Sequence, residues 1–242
     1  MLEETSADNA AVALVGRRNE VAALSAALRL RKPRLIIGPA GIGKTRVLQE
    51  SLSSSGLPFV FITKPVVLHD LLVRLAGCLH CRSGRFADLR HATTVHLKPL
   101  VLNTLRATPH CVILENVERV EPRMYRFLQE LSYVPDTCLI ATVRSGNCMG
   151  HLRKLFWDPR EELALKPLTH RESIGLFEDA CRVFRLDLFD LDDFRQKVIH
   201  AARGNPGQIL GMCRLAGQSE YRNGRHIKFV PLRIDLLSGF VQ

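Results

Sequence analysis

Gly38-Pro39-Ala40-Gly41-Ile42-Gly43-Lys44-Thr45 meets every fixed position of the phosphate-binding pattern G-x-x-x-x-G-K-[ST]. Its flanks decide the fold: Arg34-Leu35-Ile36-Ile37 reads as a short buried strand, and Lys44 to Ser51 reads as a helix. Glycines at 38, 41 and 43 let the backbone wrap around phosphate oxygens, so that successive N–H groups and the positive end of the helix face the anion. Lys44 then reaches the β- and γ-phosphates, and the Thr45 hydroxyl ligates Mg²⁺, which keeps most of its water shell and takes few protein ligands. Pro39, Ala40 and Ile42 complete the loop, and Arg46 lies in the first turn of the helix behind it. The stretch predicts binding of ATP or ADP with Mg²⁺.

Working outward, a helix is predicted from Val15-Gly16-Arg17-Arg18-Asn19-Glu20 onward, with Val21, Leu24, Ala27 and Leu28 at helical spacing. Beyond the loop, strands are predicted at 58–63, 111–114 and 138–142, with a fifth at 162–165. Helices are predicted at 67–79, 93–107 and 122–132. Strands alternating with helices at this spacing predict a parallel five-stranded sheet covered on both faces, an α/β three-layer P-loop NTPase. After Pro167 the pattern turns wholly helical, at 171–184, 191–202 and 206–216, which predicts a small helical lid. The expected organisation is a flexible N-terminal arm over 1–13, an ATPase core over 14–167, a lid over 168–220 and a basic C-terminal tail over 221–242. In that tail Asn223-Gly224 marks a turn, and the segment reads as a hairpin, a groove-contacting arm or a packed terminal segment.

The chain has 242 residues, 46% of them hydrophobic, enough for one substantial core plus an appendage. No apolar run approaches the roughly 20 residues a bilayer requires, and Met1-Leu2-Glu3-Glu4 does not open a signal peptide, so a cytoplasmic protein without membrane contact is expected. Seven cysteines, an odd number, read as reduced thiols. Cys78-Leu79-His80-Cys81 with His91 and His96 offers zinc-ligand types, but the spacing is short of the usual finger. Net charge is +10, with 26 arginines and 8 lysines. That balance admits duplex DNA as a partner, although the arginines are spread along the chain and few aromatics accompany them; a merely solvated basic surface fits as well.

Hydrolysis needs a second motif on a neighbouring strand, where one carboxylate orients the metal's water shell and another activates the attacking water. Val112-Ile113-Leu114-Glu115-Asn116 occupies that place. Glu115 supplies the magnesium-side carboxylate, but Asn116 stands where the base belongs and has no proton to take up at any accessible pH. Binding therefore survives while turnover is expected to be slow or absent, a degenerate form of the second motif. Glu118, two residues further on, is the alternative base. The fourth strand ends at Thr142-Val143-Arg144-Ser145, which makes Arg144 a candidate sensor of the γ-phosphate with Thr142 behind it.

Taken together, Val15 to Glu20, the P-loop, Val112 to Asn116, Thr142 to Ser145, Lys166-Pro167-Leu168-Thr169 and Gly204-Asn205-Pro206 resemble the AAA+/STAND ATPases. The bacterial branch whose P-loop reads G-x-x-G-I-G-K-T-R is the most similar. The resemblance covers about residues 14 to 216. It implies that Gly16 and Arg17 lie beside the adenine, and that Pro206 sits where the lid motif G-x-P meets bound nucleotide. In DNA-acting relatives an arginine commonly follows that proline; here the residue is Gly207, with Arg203 the nearest alternative. In oligomerising relatives an arginine reaches into the neighbour's site, and Arg153 and Arg160 are the candidates, although neither stands in a distinctive motif and each reads more readily as a surface ion-pair residue.

Three functions follow as expectations. The first is a nucleotide-dependent switch or assembly factor with slow hydrolysis, self-associating according to the bound nucleotide and acting on a protein partner. The second is a DNA-binding AAA+ ATPase that loads or regulates a transposase, helicase or replication factor. The third is a nucleotide-binding scaffold that does not hydrolyse.

Overall fold

The computed structural model describes residues 12–80, 89–186 and 190–239. It divides into two compact units, one built on a sheet (Asn19–Pro39 and Lys44–Leu165) and one mainly helical (Met1–Arg18, Ala40–Gly43 and Lys166–Gln242). The predicted N-terminal arm lies outside the described residues up to residue 11. Val12 is buried in the helical unit's core.

The sheet unit carries α1 (Arg18–Arg29), β1 (Arg34–Ile37), α2 (Lys44–Ser53), β2 (Phe59–Thr63), α3 (Leu68–His80) and α4 (Thr94–Ala107). These are followed by β3 (Cys111–Glu115), α5 (Pro122–Ser132), β4 (Cys138–Val143) and β5 (Glu162–Ala164). The five strands run parallel in the order β2-β3-β4-β1-β5. The central strands β3 and β4 are buried at every residue, as apolar runs covered on both faces must be. Edge strand β2 instead alternates between exposed Phe59 and Thr63 and buried Val60 and Ile62.

Side chains alternate across the sheet. Leu35, Val60, Val112, Leu114, Leu139 and Ala141 join α3, α4 and α5 in one core. Their alternates Ile36, Ile113 and Ile140 are fully buried on the other face. Leu24 and Leu28 of α1 and Val47 and Leu48 of α2 are equally buried, and Ser51 on α2 donates to the Val21 carbonyl of α1. Helix α5 shows why such segments fold locally. Pro122 starts it at a position that needs no N–H, and Met124, Phe127, Leu128 and Leu131 recur on one face.

The helical unit contains α6 (His170–Val183), α7 (Leu191–Ala202) and α8 (Pro206–Ala216), then a hairpin of β6 (Arg222–Asn223) and β7 (His226–Ile227), and α9 (Phe229–Gly239). Thr169 caps α6 reciprocally with Glu172, each side chain bound to the other residue's backbone N–H. The segment after Ala216 folds back onto the unit rather than extending as an arm. Leu232 and Leu236 of α9 enter the core, and Tyr221 donates to the Asp235 carboxylate at 2.7 Å. Pro231 is accommodated because it falls in the first turn of α9, where backbone N–H groups have no intrahelical partner.

Candidate functional site

In the sheet unit the carboxyl ends of β1, β3 and β4 come together. Ile37 pairs with Val143, and the Gly38 N–H donates to the Val143 carbonyl at 3.1 Å as the chain leaves the sheet. At the start of α2, Lys44 is only 6% exposed, and its ammonium donates to the carbonyls of Gly38 (2.6 Å) and Pro39 (3.0 Å). Burial and the neighbouring positive charge of Arg144 hold the Lys44 pKa below the usual lysine value, while Glu115 opposes them. The Thr45 hydroxyl donates to the Glu115 carboxylate, itself 7% exposed. Two hard oxygen donors thus meet beside a buried ammonium. That donor set suits Mg²⁺, which binds through few protein oxygens; Thr45 and Glu115 would hold it, and it would supply charge neutralisation to phosphate oxygens.

Asn116 follows Glu115 in a left-handed backbone conformation (φ 52°), which asparagine tolerates better than most residues. Its N–H donates to Thr142 Oγ1 at 2.9 Å, and the next N–H, of Val117, donates to the Thr142 carbonyl. Thr142, fully buried, therefore fixes the turn that ends β3 from the adjacent strand. Asn116 also lines a cleft of about 780 Å³ with Lys64, Glu118, Arg119 and His151. Neither Lys44, Thr45 nor Glu115 lines that cleft. The alternative base Glu118 lies 3.8 Å from the Arg144 guanidinium, both side chains being more than half exposed.

In the helical unit, Ala40 to Gly43 of the loop meet three donors. Asn205 Nδ2 donates to the Ala40 carbonyl (2.9 Å), the Gly207 N–H to the Gly41 carbonyl (2.8 Å), and Arg17 Nη2 to the Ile42 carbonyl (3.2 Å). The same Arg17 nitrogen donates to the Lys166 carbonyl at 2.7 Å, and the side chain is 3% exposed. Gly16, at φ 68°, abuts Glu172, whose Oε1 would lie 2.5 Å from an added Cβ. Asn205 caps α8 by accepting from the Gln208 N–H, with Pro206 in the first turn. Gly207 passes so close to Gly41 that an added Cβ would lie 2.7 Å from the Gly41 Cα. Arg203 is exposed and left-handed (φ 48°) at the end of α7.

Arg46 is half-buried one residue along α2 from Thr45. Arg153 lies in a short 3₁₀ turn, and Arg160, in another, pairs with Asp158 at 2.8 Å. No three metal-ligating side chains converge among the described residues, and Cys81 of the zinc reading lies outside them. Cys111, Cys138, Cys181 and Cys213 are buried free thiols. The sequence reading missed the roles of Asn205, Gly207 and Glu172. An asparagine directly before a proline at a helix start is the recognisable mark of an N-cap, so the cap was legible there although its contact with the loop was not.

No family model matches the chain, and no curated protein matches it. Solved structures do. A Walker-type ATPase of Pyrococcus abyssi superposes with a TM-score of 0.67 at 13% identity, over 94% of this chain and 73% of that one. The Orc1 protein of Aeropyrum pernix, solved in complex with DNA, gives 0.59 at 18% identity, over 94% and 66%. A signal-transduction ATPase with numerous domains from Pyrococcus horikoshii, bearing a tetratricopeptide-repeat sensor, gives 0.53 at 17% identity. The match covers 93% of this chain and about a third, 32%, of that longer protein. At these identities the likeness concerns the fold, and it joins the sheet order and the loop geometry in one conclusion: this chain has the fold of the AAA+ P-loop ATPases.

Proposed function

We propose that this chain binds Mg²⁺–ATP at Gly38–Thr45 and acts as a nucleotide-dependent switch or assembly factor that hydrolyses ATP slowly. The observation that carries the reading is the unequal equipment at the end of β3. Glu115 meets Thr45 where the two would hold a metal, whereas the next residue, where an activating carboxylate belongs, is Asn116. Phosphate binding draws on charge and positioning, which Lys44, Thr45 and Glu115 supply; rapid turnover draws on a base, for which Asn116 has no chemistry. A protein that holds triphosphate longer than it destroys it is suited to signalling its nucleotide state through self-association or a protein partner. The test is the mass of the protein with ATP, ADP and no nucleotide, alongside nucleotide affinity. Lys44→Ala is expected to abolish binding and any ATP-dependent change in mass. Equal affinity for ATP in Lys44→Ala and wild type would refute the reading.

A second reading, a DNA-associated ATPase, is favoured by the net charge of +10. It predicts ATP-dependent binding to duplex DNA whose affinity falls steeply with salt through counterion release. Binding that is absent or insensitive to salt would refute it. Multiple-turnover phosphate release above the Lys44→Ala background separates both from a scaffold without hydrolysis.

A further inference from the structure

Five consecutive carbonyls of the loop are bound by protein donors: Gly38 and Pro39 by Lys44, Ala40 by Asn205, Gly41 by the Gly207 N–H and Ile42 by Arg17. In a trans peptide the C=O of one residue and the N–H of the next point in opposite directions. Holding the carbonyls of 40, 41 and 42 therefore turns the N–H groups of 41, 42 and 43 to the opposite side of the loop. Those are amides that a phosphate-binding loop presents to its anion. Loops of this kind need such restraint because Gly41 and Gly43, at φ 76° and 99°, sit in conformations that glycine enters and leaves freely.

We infer that Asn205, Gly207 and Arg17 are positioning residues that pre-orient the phosphate-binding amides by clamping their carbonyls. The inference rests on the proposed binding of nucleotide at this loop. It gives Gly207 a reason to be glycine, since any side chain would drive Gly41 away. It also gives Asn205 a task that an ordinary N-cap does not need. Its Oδ1 caps α8 while its Nδ2 holds Ala40, the acceptor and the donor being two separate atoms of one side-chain amide.

That double use makes the inference testable apart from stability. Serine and aspartate cap helices about as well as asparagine, but aspartate has no donor, and the serine hydroxyl ends one bond short of the position from which Nδ2 reaches Ala40. Asn205→Ser is expected to leave the melting temperature without nucleotide within about 2 °C of wild type and to weaken Mg²⁺–ATP and Mg²⁺–ADP binding about tenfold, the loss of roughly one good hydrogen bond. Asn205→Asp, which sets a carboxylate against the Ala40 carbonyl oxygen, is expected to weaken binding further, with the cap intact. Both affinities are read by calorimetry, with Lys44→Ala as the non-binding reference. Wild-type affinity in both variants overturns the clamp and leaves nucleotide binding standing. A fall in affinity that merely tracks a fall in nucleotide-free stability also overturns it, because that would be the signature of a cap alone. If wild type itself fails to bind, the underlying reading of the loop is what falls.

Discussion

Asn116→Glu supplies the carboxylate that the end of β3 lacks, and the structure allows both its benefit and its cost to be worked out. The backbone at 116 is left-handed, and the bond from its N–H to Thr142 Oγ1 involves no side-chain atom of residue 116. The substitution therefore keeps that bond and replaces a residue at ease in the left-handed region by one that is not. The cost is about 1 kcal/mol, which in a chain of this size lowers the melting temperature by roughly 2–4 °C. A positioned general base contributes about 10²- to 10⁴-fold. Taking the lower end, because nothing around Asn116 is arranged for that role, phosphate release at saturating Mg²⁺–ATP should rise about a hundredfold, or ~2.7 kcal/mol off the barrier. The assay is single- and multiple-turnover phosphate release against a Lys44→Ala background, with ATP affinity measured separately and expected to change less than threefold. Two results would refute the reasoning. A wild-type rate already near the ordinary enzyme range of about 10 s⁻¹ would show that a base exists elsewhere. No gain in a folded, ATP-binding Asn116→Glu would show that this position serves the adjoining cleft and not the phosphates.

Further outcomes follow from the same geometry. Since burial and Arg144 lower the Lys44 pKa, the ammonium loses its proton at a lower pH than a free lysine would. Nucleotide affinity should therefore decline with rising pH below the ordinary value of 10.5 in wild type and stay flat in Lys44→Arg, a comparison that calorimetry across pH 7–10 can make. The Thr169 backbone N–H and hydroxyl hold the Glu172 pKa below the usual carboxylate value, so the stability from this capping pair is complete above the ordinary 4.5 and is lost as pH falls through the lowered value. Thr169→Ala should cost about 1 kcal/mol at neutral pH and weaken that acid-side dependence without abolishing it, since the backbone N–H remains, as denaturant melts at pH 7 and pH 3 would reveal. Gly204→Ala places a Cβ 2.4 Å from the Leu168 carbonyl at a residue with φ 75°. It is expected to cost about 3 kcal/mol or more, measured by the same melts.

Much of the fold was legible because its signals are local. Short apolar runs bounded by turns became β1 to β5, and the switch to purely helical spacing after Pro167 marked the helical unit, since burial on both faces of a sheet and on one face of a helix leave different periodicities. The segment after Ala216 was less legible. Pro231 weakens a helical reading of Phe229–Gly239, and what stabilises that helix is its packing through Leu232 and Leu236. The site divided in the same way. Lys44, Thr45 and Glu115 were legible as candidates because their motifs stand out in the chain, whereas Thr142's hold on Asn116 joins residues 26 apart and leaves no mark in either neighbourhood.

The sequence by itself determined that a loop with the phosphate-binding pattern follows a buried strand, that a lysine and a threonine end it, and that a glutamate followed by an asparagine closes a later strand. Each of these is a matter of residue identity at short range. Only the tertiary structure decided what holds the loop. The carbonyls of Ala40, Gly41 and Ile42 are claimed by Asn205, Gly207 and Arg17, residues up to 166 positions away. The physical reason is that a backbone carbonyl is the same group in every residue; which donor reaches it depends on where the folded chain returns, and no local pattern records that.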